Sequence, residues 1–211
     1  MRLAQLSRRP LHISTGPQFT TLVLDEFTDA DGTALSAHTM APTNIPAASW
    51  VQFGPDAHTI QSNKAQRGNG TSLSGYVLDA GQPVGKVRAT MTDAGQFGFA
   101  EVGIIIRYQD INNFFTAERT LSSGVYSVKL YERAASSVTE RASIVDSDTT
   151  VPKWVEIEDN GVQLTIRNQD GNSASYVTSL FAAETKCGIG RAGNIAFSGI
   201  STWDDFTVSA R

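Results

Sequence analysis

From Thr20 onward the chain alternates apolar and polar residues over short stretches and breaks the alternation at turn residues. In Val84–Thr92, Val87, Ala89 and Met91 fall on one side of an extended segment, with Arg88, Thr90 and Thr92 on the other. Val125–Arg133 repeats the pattern, Tyr126, Val128 and Leu130 opposing Ser127, Lys129 and Tyr131. VGIIIRY, inside Ala100–Tyr108, lacks a polar face and reads as a central strand covered on both sides. Thr21–Phe27, Trp50–Phe53, His58–Ser62, Tyr76–Asp79, Asn113–Arg119, Ser175–Phe181 and Trp203–Val208 are further predicted strands, and Ala65–Gly75 reads as a loop. The clearest unit is the hairpin KWVEIEDNGVQLTIRNQDG. Val155 and Ile157 alternate with Trp154, Glu156 and Glu158, Asp159-Asn160-Gly161 turns the chain, and Val162, Leu164 and Ile166 return against Gln163, Thr165 and Arg167. Pro42 and Pro46 keep the segment 28–49 irregular, and only Ser179–Gly188 has room for a turn of helix. Short strands with glycine turns predict an antiparallel sandwich or barrel.

Composition narrows the function. With 211 residues, a net charge of -4 and a pI near 5.3, the chain suits one large β domain and lacks the basic stripe that nucleic acid requires. Cys187 is the one cysteine, so no internal disulfide forms, and it reads as a small buried apolar residue rather than a reactive thiol. His12, His38 and His58 form no zinc-hydrolase pattern. The first twenty residues carry Arg2, Arg8 and Arg9 and no acid, and read as a basic arm (1–20) before a single sandwich domain (21–211). That leader lacks the apolar stretch of a secretory signal, and no run is long enough to span a membrane, so a protein made in a cytoplasm is expected.

Two acidic stretches stand out, LDEFTDADGTALSAHT at Leu24–Thr39 and WDDFTV at Trp203–Val208. With Gly32 at the sixth position of an EF-hand loop, Phe27 and His38 would stand at the first and last ligand positions, so that frame fails. Together with VGIIIRYQDINNFFTAE, GVYSVKLYER and the hairpin, these stretches resemble, in order and spacing, the concanavalin A-like lectin/glucanase jelly rolls, especially laminin-G-like domains of phage and bacterial surface proteins. The resemblance spans roughly Leu24 to Ser209. It implies an all-β fold of two antiparallel sheets, a concanavalin A-like jelly-roll sandwich, with first and last strands side by side. It also implies a calcium site built from Asp25, Asp29, Asp31, Gly32 and Asp205, whose alternative is that these carboxylates cap turns.

The same resemblance directs attention to carbohydrate. Sugar sites set an apolar sugar face on an aromatic ring and pair hydroxyls with Asp, Asn and Arg. Arg107, Tyr108, Asp110, Asn112, Asn113 and Tyr126 are the candidates, with Tyr131 and Trp203 as further rings, although Trp154 and Trp203 are expected in the core. Glucanases of this fold use paired carboxylates on one strand. Glu156 and Glu158 share a face, but Gly161 falls where a third acid would stand, so a solvated sheet face is expected there. The resulting expectation is a non-catalytic phage virion protein (a decoration, fibre or tail-associated module). Its arm would contact other virion subunits, and its sandwich would meet host glycans or further subunits, a homo-oligomer included. The alternatives are a glycoside hydrolase or lyase acting on surface polysaccharide, and a purely structural subunit.

Overall fold

The computed structural model describes residues 19–40, 44–45, 48–67, 72–93, 102–122, 124–146, 152–192 and 201–211. Residues 1–18 of the basic arm lie outside them. The strands are β1 (Thr21–Asp25), β2 (Val51–Phe53), β3 (His58–Ile60), β4 (Ala65–Arg67), β5 (Gly75–Asp79), β6 (Val84–Asp93), β7 (Val102–Asp110), β8 (Asn113–Ser122), β9 (Val125–Ala134), β10 (Ser137–Asp146), β11 (Lys153–Asp159), β12 (Gln163–Asn168), β13 (Ser173–Val177), β14 (Lys186–Gly190) and β15 (Ser201–Ala210). They form two antiparallel sheets. One runs β13-β12-β11-β6-β15-β4-β3 with β1 paired onto β15, and the other runs β10-β9-β8-β7-β14-β5-β2. This is the two-sheet jelly-roll sandwich. No helix among the described residues is long and apolar enough to cross a membrane.

The alternation read from the sequence sets the faces. Val87, Ala89, Met91, Val155, Ile157, Leu164 and Ile166 of the first sheet meet Ile104, Ile106, Phe115, Ala117, Val128 and Leu130 of the second in the main core. Val102–Tyr108 is buried throughout, as VGIIIRY predicts. It is covered outside as well as inside because a second cluster, Phe53, Leu73, Val77, Ile105, Tyr108, Phe114 and Ala192, lies on the outer face of the β7 sheet. Cys187 is in the main core, and burial pushes its thiol pKa upward, with the charge of Asp79 adding to the effect.

The DEF and DDF stretches meet, with Asp25 opposite Phe206 and Val23 opposite Val208. Trp203 and Phe206 both point inward because a bulge, with φ 49 at Asp205, inserts one residue between them. Several expectations need correction. Ala65–Gly75 contains strand β4, and β5 begins at Gly75. Strand β10 is absent from the sequence reading, because its solvent-facing edge carries too few apolar residues to show a period. Ser179–Gly188 contains a turn and then β14. Val162 is 61% exposed in the hairpin turn, outside the return strand. Trp203 is a core residue whose indole donates to the Gly103 carbonyl, but Trp154 lies half-buried on the outer face of its sheet beneath the Arg88 guanidinium.

Candidate binding site

The site begins with a bulge in β7. Strict alternation puts Ile104 and Ile106 inside, and would put Arg107 outside and Tyr108 inside. The register shifts after Ile106, and Arg107 takes φ 53. The extra residue turns Arg107 inward and carries Tyr108 to the outer face, opposite Lys186 of β14.

Arg107 is thereby removed from any ligand. Its guanidinium clamps Asp159 through Nε at 2.7 Å and Nη2 at 2.6 Å, and Nη1 donates to the carbonyls of Thr178 and Leu180. Tyr108 joins Phe53 and Phe114 in a triangle of rings, with centroids 5.1–6.0 Å apart. Beside this triangle β2, β5, β14 and β7 enclose a cavity of about 320 Å³, at the small end of ligand pockets of roughly 300–1,000 Å³. Val51, Phe53, Val77 and Tyr108 supply its apolar surface, and Gln52, Asp79, Gln109, Asp110 and Lys186 its polar groups. Lys186 is the residue that β14 contributes to the lining.

Several of these polar groups have spare hydrogen-bonding capacity. Asp79 accepts from Gly81 N and Thr185 Oγ1, both on Oδ1. Those bonds, led by Thr185, and the Lys186 charge outweigh burial and hold the Asp79 carboxyl below its ordinary range. No hydrogen bond engages the Lys186 ammonium, the Gln109 amide or the Tyr108 hydroxyl among the described residues. Burial, with the Asp110 charge adding to it, pushes the Tyr108 phenol up to about 12, so it stays protonated and can donate.

The predicted sugar-binding residues therefore divide. Tyr108 and Asp110 line the cavity. Asn112 and Asn113 instead build the β7–β8 turn. Asp110 accepts from Asn112 N and Asn113 Nδ2, while Asn113 Oδ1 accepts from Ala135 N and Asn112 Oδ1 bonds Ser136 Oγ, tying that turn to the β9–β10 turn. Tyr126 faces inward, with Arg119 3.9 Å above its ring. Val51, Gln52, Val77, Asp79 and Lys186 were missed, because strands far apart in sequence bring them together. Only the Asp79-Ala80-Gly81 turn carried a local signal.

Of the acidic residues read as a calcium set, Asp25 and Asp29 share His38, while Asp31 and Asp205 bond other groups. Asp25 is buried and accepts from Phe27 N and Trp50 Nε1, and it pairs with His38 Nε2 at 2.8 Å. Asp29 pairs with His38 Nδ1 at 2.8 Å. Asp31 accepts from Gln61 Nε2 and Ser62 N, Gly32 N donates to the Ile60 carbonyl, and Asp205 accepts from Thr90 Oγ1. Among the described residues no three carboxylate, histidine or cysteine side chains converge as metal ligands.

Glu156 and Glu158 stand on the outer face of the other sheet. Lys86 lies 3.4 Å and 3.5 Å from them, and Arg167 Nη2 bonds Glu158 at 2.9 Å. Burial favours the protonated form of Glu158, but the Arg167 and Lys86 charges outweigh it and hold the carboxyl below its ordinary range. A glycosidase general acid needs the opposite shift.

No protein-family pattern and no curated protein matches this chain. Solved structures share its fold. The carbohydrate-binding module CBM66 from Bacillus subtilis is 17% identical with a TM-score of 0.52, the match covering 77% of this chain and 92% of the module. The CBM2 module of the evolved Dit protein of Lactobacillus casei BL23 phage J-1 is 12% identical with a TM-score of 0.57, covering 90% and 95%. The GH43 protein BlXynB (K247S mutant) from Bacillus licheniformis is 11% identical with a TM-score of 0.62, and the chain spans 39% of its length.

Proposed function

We propose that this protein is a non-catalytic glycan-binding module, of the laminin-G-like kind and displayed on a phage particle, that holds a sugar in the cavity between β2, β5, β14 and β7. The observation that carries the reading is the cavity itself: an apolar surface of Val51, Phe53, Val77 and Tyr108 ringed by the uncommitted Lys186, Gln109 and Tyr108 groups. A sugar ring has an apolar face and a rim of hydroxyls. Such a ring covers the apolar surface and exchanges its hydroxyl–water bonds for bonds to these groups. The fold shared with a carbohydrate-binding module and with a phage Dit module supports both halves of the reading. Against a hydrolase stand the ion pairs that occupy Glu156 and Glu158.

A glycan array followed by calorimetry tests the binding half. Tyr108→Phe and Asp110→Asn are expected to weaken the leading ligand by about ten-fold each, the usual scale of one lost hydrogen bond to a charged or buried partner. Trp154→Ala, on the opposite sheet, leaves affinity unchanged. Equal binding by all variants would discard the cavity. Mass spectrometry of purified particles tests the other half, and its failure would be a particle that lacks the chain.

A further inference from the structure

The layout of the cavity carries a narrower statement, which rests on the glycan-binding reading above. Three lining residues form one row across three strands. Lys186 of β14 pairs with Asp79 of β5 on one side and with Tyr108 of β7 on the other. Residues paired in this way project from the same face of a sheet whose strands lie about 4.8 Å apart, so a carboxylate, an ammonium and a phenol stand side by side. Asp79 Oδ1 is taken by Gly81 N and Thr185 Oγ1. Among the described residues no hydrogen bond engages Asp79 Oδ2, the Lys186 ammonium or the Tyr108 hydroxyl. The neighbouring row is apolar, with Val51 paired to Val77. Val51 is 58% exposed, whereas Phe53, Val77 and Tyr108 are 7%, 4% and 8% exposed, the rings of Phe53, Tyr108 and Phe114 covering one another. A sugar ring can lie against Val51, but only a small apolar branch reaches the floor behind it.

We infer that the cavity takes an N-acetylated amino sugar and holds it by its acetamido group. The N–H and C=O of a secondary amide point in opposite directions. One such group therefore donates to Asp79 Oδ2 on one side of the row and accepts from Tyr108 Oη and Lys186 Nζ on the other. Both bonds involve a charged protein group, which makes them stronger than neutral pairs. The acetamido methyl fills the floor lined by Phe53, Val77 and Tyr108. A lone hydroxyl also donates and accepts, but through one atom, and it brings no apolar branch. A free amine places its own positive charge beside the Lys186 ammonium and leaves the apolar floor unfilled. The amide is uncharged and has two poles, so it uses the carboxylate and the ammonium as they stand, with neither neutralised by the other.

The experiment uses methyl glycosides of glucose and galactose, each carrying a hydroxyl, an amino or an acetamido group at carbon 2. Binding to the full chain is measured by NMR titration at neutral pH. The expected result is that an acetamido sugar binds at least about ten-fold more tightly than its hydroxyl and amino counterparts, the scale of one buried methyl group together with one net hydrogen bond. In Lys186→Met and in Tyr108→Phe that advantage shrinks, because each variant removes a donor to the amide carbonyl. Both changes alter a side chain at the cavity surface, and the variants are compared at matched thermal melting. Equal or tighter binding of a hydroxyl or amino sugar by the wild-type protein would overturn the inference. In that case loss of the same binding in Tyr108→Phe would leave the cavity standing as a sugar site. Binding insensitive to both variants, or no binding of any of these sugars, would overturn the inference and the cavity reading together.

Discussion

Asp25, Asp29 and His38 show how much a residue's neighbours decide. The sequence offers them as acids near a histidine. The fold sets buried His38 between buried Asp25 and half-exposed Asp29, so that both imidazole nitrogens face carboxylates at 2.8 Å. Only the imidazolium donates at both nitrogens. Burial opposes that charge, but the hydrogen bonds and charges of Asp25 and Asp29 outweigh it, so the His38 pKa rises above 6.5. The Asp29 pKa falls below 3.8, chiefly through the His38 bond and the Thr39 amide. The signs follow from linkage. A group with a raised folded pKa contributes stability in full below its unfolded value, and loses it as pH rises through the folded value. Stability is therefore expected to fall as pH climbs above 6.5 through the folded His38 pKa. It should fall again as acid passes below 3.8 through the folded Asp29 pKa. Urea unfolding followed from pH 5 to 9 checks the upper limb, and His38→Gln should flatten it. An unchanged slope in that variant would assign the pH dependence to other groups.

The elements were legible in proportion to how strictly their surroundings enforce a two-residue period. Strands β6, β9, β11 and β12 have one face in the main core, and each was legible from alternation. Strand β10 lies at a sheet edge and β4 is a short pairing strand, so their patterns are weak. The bulges at Arg107 and Asp205 escape a period-based reading altogether, since one inserted residue reverses every face beyond it. That reversal is why Arg107, read as a ligand group, turns inward instead. Strand β14 makes a testable case at this scale. A Cβ added to Gly188 would sit 2.0 Å from the Tyr76 carbonyl oxygen of β5, and backbone cannot yield as a side-chain tip does. Gly188→Ala is expected to destabilise by about 1–3 kcal/mol through overpacking. A lower denaturation midpoint with an unchanged slope is the signature. Because β14 and β5 also floor the cavity, weaker ligand binding should accompany it.

Across the whole molecule, buried ion pairs tie the layers together where the apolar core ends. The pair Arg107–Asp159 joins β7 of one sheet to the β11–β12 hairpin of the other, and Arg211 adds a third contact at 2.6 Å. The pair Arg119–Asp146 joins β8 to β10, with Lys153 of β11 bonding both Asp146 and Asp170. Truncating one partner leaves a charge stranded in low dielectric. Asp159→Ala is expected to cost about 3–5 kcal/mol in thermal or urea unfolding, while the double variant Arg107→Met/Asp159→Leu should recover much of it. If the single variant proved no worse than the double, the pair would not be acting as a buried clamp.

The sequence by itself determined the fold class, the main hairpin and most of the core, because these rest on local period, turn chemistry and the burial of apolar faces. It also pointed to Tyr108 and Asp110, which share one strand end. Only the tertiary structure decided which face each residue of β7 takes, since a bulge depends on pairing with two neighbours. Only the tertiary structure joined Asp79, Lys186, Val51 and Val77 to Tyr108. A cavity is a property of strands adjacent in space, and no local pattern in the chain records which strands those will be.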